Sequence, residues 1–194
     1  ELFFSWVFLC LELYMKFKLL NSERIFKGRV FTIRRDNLRT PDGRITKFDI
    51  VEHHGSVVIL AIDNDANLLL IRQYRHAAVD DLLELPAGTL DAPDEDPAHC
   101  AGRELREETG MAARKLVELG KFYLAPGYST ELMTVFLATD LYDNPLAPDA
   151  DEFLDLEKIP VAEAISIAEA GQMPDAKTLA ALLMARPHLH AYLK

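Results

Sequence analysis

The sequence predicts an α+β protein, equally describable as an α/β/α sandwich with a mixed sheet. Three observations predict it. Short apolar runs bounded by turn signals recur along most of the chain, one doubly capped helical segment interrupts them at Asp96–Gly110, and two further helical segments follow near the end.

Taken in order, residues 24–39 alternate imperfectly around Ile25, Phe26, Val30, Phe31 and Ile33, and are read as one strand. Pro41-Asp42-Gly43 is a turn signal, after which Ile45–Val51 resumes as a second strand, so the N-terminal unit resembles a β-hairpin. SVVILAI after Gly55, the turn Asp63-Asn64-Asp65, and NLLLIRQYR make two neighbouring core strands, being short and β-branched. DLLELPAG leads into a loop from Thr89 to Glu95. Asp96 then suits a helix N-cap, Pro97 the first helical position, and Gly110 a left-handed C-terminal cap. Ala98, Ala101, Leu105 and Thr109 recur at helical spacing and predict the buried stripe, with the acidic residues facing elsewhere. VELGKFYLAPG and LMTVFLATDL follow as strands. The polar NPLAPDADEF loop leads to the short strand FLDLEKI and to helices at Val161–Glu169 and Asp175–Ala185.

The 194 residues include 49% apolar ones, enough for one ordinary domain with a small appendage. A net charge of −10 argues against a nucleic-acid interface built on a broad basic face. It leaves room for a phosphate-bearing small molecule if the carboxylates gather cations, because bound cations invert the local field. Cys10 and Cys100 match no zinc or disulfide spacing and are read as small hydrophobes. The apolar run at the start is shorter than the roughly 20 residues that span a bilayer, and it lacks a signal's positive flank. The expected division is a non-native or ill-defined extension over residues 1–14, N-terminal strands over 15–54, and the main domain over 55–194.

Chemistry concentrates in RELREETG. On a helix, Glu104, Glu107 and Glu108 approach one edge, a cluster that repels itself unless a positive charge lies beside it. Hard divalent ions bind carboxylate and carbonyl oxygens, and Arg103 can pair with Glu107 one turn on. In isolation such a run is ordinarily a solvated surface. Here it follows a strand-like ELPAG and a capped loop, and its reverse face is apolar.

The order ELPAG, loop, RELREETG resembles the signature of the Nudix hydrolase family, through Gly88, Glu95, Arg103, Glu104, Leu105, Glu107, Glu108 and Gly110. The interval from Gly88 to Glu95 is one residue longer than the family's, and the extra residue is assigned to the loop around Ala92–Asp94, where insertion need not disturb the helix. The resemblance implies a Nudix-type α/β/α sandwich with a mixed sheet and an N-terminal β-hairpin extension. It also implies cleavage of a nucleoside diphosphate linked to another group, with Mg²⁺ as cofactor and Mn²⁺ as a substitute. It makes Glu104, Glu107, Glu108 and the Ala87 carbonyl metal ligands, Arg103 the residue that orients the acids, and Glu95 a loop support or a partner of metal-bound water.

Arg72 and Arg75 in RQYR are substrate-binding candidates, because a guanidinium fork suits phosphate. Glu84 is a third, able to orient arginine or a substrate hydroxyl. Pro126 stands sixteen residues beyond Gly110, and this placement of LAPG resembles the ADP-ribose pyrophosphatases within the family, which makes Gly127 a further candidate. Ala125 stands where many of those enzymes carry serine, so no hydroxyl is available there. Phe31 and Phe48 are read as core, with base stacking the alternative. The expected reaction is Mg²⁺-dependent hydrolysis of ADP-ribose to AMP and ribose 5-phosphate. The alternatives are another nucleoside diphosphate sugar or a non-catalytic nucleotide-binding module. A catalytic loop acid is sought among Asp149, Asp151 and Glu152, with Glu152 preferred and Asp151 its rival, alongside Glu107 and Glu108. A cytoplasmic homodimer, with no nucleic-acid or membrane partner, completes the expectation.

Overall fold

A computed structural model describes residues 17–148 and 153–192. The expectation for residues 1–14 and the loop acids Asp149, Asp151 and Glu152 lie outside the described residues. The chain forms two compact units, one comprising the N-terminal strands with Ala125–Thr130, and one running from His54 to Leu124 and from Glu131 onward.

The first unit is a three-stranded antiparallel meander of β1 (Lys18–Lys27), β2 (Thr32–Arg39) and β3 (Ile45–Glu52). The single strand expected over residues 24–39 is two. Gly28 N–H donates to Phe31 O at 2.9 Å, closing a tight turn that reverses the chain. The Pro41-Asp42-Gly43 turn falls where expected, with Gly43 N–H donating to Thr40 O at 2.9 Å and Gly43 at φ 89°. Phe31 and Phe48 are not core residues, being 41% and 39% exposed among other uncovered apolar side chains of the meander. Among the described residues of this unit, no helix packs over the meander.

In the second unit, the described strands are β4 (Ser56–Ile62), β5 (Asn67–Arg75), β6 (Asp80–Glu84), β7 (Ala87–Thr89), β8 (Met111–Tyr123), β9 (Leu132–Asp143) and β10 (Leu154–Pro160). They form one sheet in the order β10-β5-β4-β9-β8, with β6 paired to β5 and β7 to β4. The β4–β9 pairing is parallel and the others are antiparallel, so the sheet is mixed. Helix α1 (Pro97–Thr109) covers one face, and α2 (Val161–Glu169) with α3 (Ala176–Ala185) covers the other.

Strand β4 shows why three layers form. It is buried along its whole length, as a central strand covered on both faces must be. Val57, Ile59 and Ala61 pack with Cys100, Ala101 and Leu105 of α1, whereas Val58, Leu60 and Ile62 pack with Val161, Ala164, Ala181 and Leu182. The period of two sends alternate side chains to opposite helical layers. Each fully buried large aliphatic contributes roughly 1.5–3 kcal/mol.

Candidate active site

The site is built where α1 crosses β7. Asp96 caps the helix, accepting from Ala98 N–H at 3.0 Å, and Pro97 occupies the first turn. Gly110 adopts φ 74° and donates its N–H to Arg106 O at 3.1 Å, a conformation that costs a side-chain-bearing residue roughly 1–2 kcal/mol. Both caps fall on the residues named from sequence.

The buried face differs from the predicted stripe. Ala98 is exposed, while Cys100, Ala101, Glu104, Leu105, Glu108 and Thr109 are buried. Two of the acids therefore face inward rather than away. Their burial is tolerated because backbone and guanidinium groups meet them, as a desolvated carboxylate requires. Glu108 Oε2 accepts from Ala87 N–H at 2.9 Å. Arg103 Nη1 lies 2.8 Å from both Glu104 Oε1 and Glu107 Oε2.

Gly88 makes the approach of helix and strand possible. A Cβ built there would fall 1.9 Å from Cδ and Oε1 of Glu104 and 2.3 Å from its Cγ. Only a residue without a side chain lets the Glu104 carboxylate rest on this backbone. Glu95 accepts from Asp91 N–H at 2.6 Å, and Glu95 N–H donates to Ala92 O at 3.1 Å. These two bonds close a tight turn over Ala92–Glu95. Cys100 is fully buried, and burial, joined by the Glu104 charge, pushes its thiol up to about 12, which leaves it an inert core residue.

Glu84, 1% exposed, receives Arg75 in a bidentate pair, Nε to Oε1 at 2.8 Å and Nη2 to Oε2 at 2.6 Å. Burial pushes the Glu84 carboxyl up, but hydrogen bonding by Arg75 and the charge of Lys177 outweigh it and hold the group below the usual range. Arg75 also lies near enough to Glu108 and Asp175 to feel both charges. Arg72 instead bonds Glu157 through Nε at 2.6 Å. It lines an open cleft of about 480 Å³ with Tyr74, Asp81, Phe153, Leu154 and Asp155. Gly127 belongs to the first unit, in a turn where Tyr128 N–H and Ser129 N–H both donate to Ala125 O.

Sequence reasoning missed Lys177, which is 8% exposed and pairs with Glu84 and Asp175. A signal was present: a lysine in the first turn of an apolar helix opposes the helix dipole, so it calls for an acidic partner.

Among the described residues, no group of three or more His, Cys, Asp or Glu side chains forms a ready cation cage. The donor set nonetheless suits a hard divalent cation. Glu104, Glu107 and Glu108 offer oxygen ligands on one helix beside the Ala87–Thr89 strand, and magnesium is ordinarily held by one or two carboxylates with water and phosphate rather than by an all-protein cage. Among the described residues, no helix is long and apolar enough to cross a membrane.

Comparison with known proteins agrees with this architecture. Residues 52–182 match the NUDIX domain. The chain is 34% identical over 167 residues to an ADP-ribose pyrophosphatase of Bacillus subtilis, covering 85% of this chain and 90% of that one. It is 38% identical over 169 residues to an ADP-ribose pyrophosphatase of Mycobacterium tuberculosis, covering 86% and 82%. A crystal structure of an ADP compounds hydrolase superposes with a TM-score of 0.79 at 30% identity, covering 91% of this chain and 95% of that one. The chain belongs to the Nudix hydrolase family, and is an enzyme for hydrolysis of a nucleoside-diphosphate-linked compound.

Proposed function

We propose that this chain hydrolyses ADP-ribose to AMP and ribose 5-phosphate. The observation that carries the reading is the seating of the Glu104 carboxylate on Gly88, one turn from Glu108, whose Oε2 is held by Ala87 N–H. The names and high coverage of the two bacterial relatives support ADP-ribose as the substrate.

In this reading Glu104, Glu107, Glu108 and the Ala87 carbonyl hold Mg²⁺, for which Mn²⁺ can substitute. Bound Mg²⁺ supplies charge neutralisation of the diphosphate and lowers the pKa of water. Arg103 holds Glu104 and Glu107 at a fixed separation before the cation arrives. Arg75 binds the diphosphate, oriented by Glu84, and Arg72 contributes a further substrate contact. Water attacks one phosphorus, a new P–O bond forms, and the bridging P–O bond breaks with its oxygen leaving on the other phosphate. A carboxylate accepts the proton released by the water. That role is assigned to Glu152, with Asp151 its rival, from position in the acidic loop.

The reading includes a homodimer, supported by the exposed apolar residues of the meander, among them Leu19, Phe26, Phe31 and Phe48. It places the enzyme in the cytoplasm, without a nucleic-acid or membrane partner; the free, buried Cys100 is in keeping with a reducing setting. Product analysis with ADP-ribose and Mg²⁺ tests the substrate: AMP and ribose 5-phosphate are expected in equal amounts. Faster turnover of another nucleoside diphosphate sugar would reassign it, and magnesium-dependent binding without products would make the chain a binding module. Light scattering after size exclusion tests the dimer.

A further inference from the structure

We propose that Lys177 is a positioning residue for substrate binding, setting the orientation of Arg75 through Glu84. The inference rests on the reading of Arg75 as a diphosphate ligand.

Lys177 stands in the first turn of α3, where the helix dipole disfavours a cation, and its side chain is only 10% exposed, where desolvation disfavours one again. Two carboxylates offset these costs. Nζ lies 3.0 Å from Asp175 Oδ1 and bonds Oε2 of Glu84. Oε2 of Glu84 is therefore shared by two cations, Lys177 Nζ and Arg75 Nη2. Asp175, Lys177, Glu84 and Arg75 form a chain of alternating charge that sums to zero and runs from a half-buried helix cap to a guanidinium with 40% of its side chain exposed.

The helix start is itself fastened to the strand that carries Glu84. Thr178 Oγ1 accepts from Leu85 N–H at 2.9 Å and donates to Asp175 Oδ2 at 2.6 Å. Asp175 caps α3 by accepting from Thr178 N–H at 3.0 Å. The first turn of α3 thus holds Lys177 against Glu84 with little freedom to drift. Arg75 meets Glu84 through Nε and Nη2, so its Nη1 edge is the part offered elsewhere. With Lys177 in place, Glu84 has one orientation, and a bidentate guanidinium pair transmits that orientation to Arg75. Without Lys177, the carboxylate can rotate about its own axis and the guanidinium plane turns with it.

The test uses the full chain with Mg²⁺, ADP-ribose as substrate and α,β-methylene-ADP as a non-hydrolysable diphosphate probe. Lys177→Met is expected to raise KM and weaken probe binding by about tenfold each, mid-range for residues in one ion-pair network, with kcat changed by less than about threefold. The double variant Arg75→Met, Lys177→Met is expected to bind the probe no worse than Arg75→Met alone. Should Lys177→Met not fold, Asp175→Asn retains a capping side chain and removes one charge holding Lys177. A smaller shift of KM in the same direction is then expected. A lowered Tm with unchanged KM and probe affinity, in whichever of these variants folds, overturns the proposal, as do losses in the double variant that multiply. If Arg75→Met weakens probe binding while Lys177→Met leaves it unchanged, this inference alone fails. If Arg75→Met leaves probe binding unchanged, the diphosphate role of Arg75 fails, and this inference with it.

Discussion

Replacing Gly88 with alanine adds one methyl group at the point where strand and helix are closest. The added carbon would meet Glu104 Cδ and Oε1 at 1.9 Å and Cγ at 2.3 Å, against an ordinary carbon contact of about 3.5–4.0 Å. A relaxation of a few tenths of an ångström does not suffice, so the Glu104 side chain must leave for another rotamer. Gly88 is not among the glycines with positive φ, so alanine meets no backbone penalty and the conflict is with Glu104 alone. The displaced group is the end of a flexible side chain. The stability cost is therefore the partial loss of the Arg103–Glu104 pair, about 1–3 kcal/mol for a part-buried charged contact. With Glu104 holding the cation as proposed, activity is expected to fall much further, by at least about 100-fold in kcat/KM, because even indirect disturbance of a metal ligand costs about 10–100-fold. Chromatographic measurement of AMP formed from ADP-ribose, with thermal unfolding measured alongside, reads both quantities. A Gly88→Ala enzyme within about threefold of wild-type activity would refute the claim that Glu104 works from its seat on this glycine, since a shift of about 0.7 kcal/mol is too small for a lost ligand.

Glu108→Gln retains an oxygen for Ala87 N–H but not the charge; turnover should drop at least about 100-fold, while Tm moves by no more than about 4 °C. Near-normal turnover in steady-state assays would remove Glu108 from the metal site. Glu84, held below the usual carboxylate range, contributes stability that is present above its unfolded pKa of about 4.3 and is lost as pH falls through its lower folded value. Urea unfolding across pH should therefore show a flatter acid limb for Glu84→Gln than for wild type, and parallel curves would contradict the assignment. Val79, a β-branched residue at φ 56° and 73% exposed in the turn after β5, should be relieved by Val79→Asn. A gain of about 1 kcal/mol, or roughly 2–4 °C in Tm, is expected by calorimetry, and an unchanged or lower Tm would show that the turn carries no such strain.

Much of this protein was legible in local chemistry. Asp96, Pro97 and Gly110 marked both ends of α1 because capping depends on residues within a few positions of one another. The alternating and continuous apolar runs marked the strands for the same reason, and the order of ELPAG and RELREETG was sufficient for the family. Two strands were merged into one over residues 24–39 because one glycine turn, at Gly28, is a weak signal inside an imperfect alternation.

Tertiary structure alone decided which helix face turns inward. Hydrophobic periodicity assigned Ala98 to the core and the acids to the outside, since it weighs each side chain against water and knows nothing of what lies opposite. Opposite α1 lie Gly88, with no side chain, and the Ala87 N–H, and a partnered carboxylate can occupy a buried position that an unpartnered one cannot. That Glu84 is a partner of Lys177 was hidden for a related reason. The two residues are 93 positions apart, and only the packing of α3 against the sheet brings the buried charge and its counter-charge together.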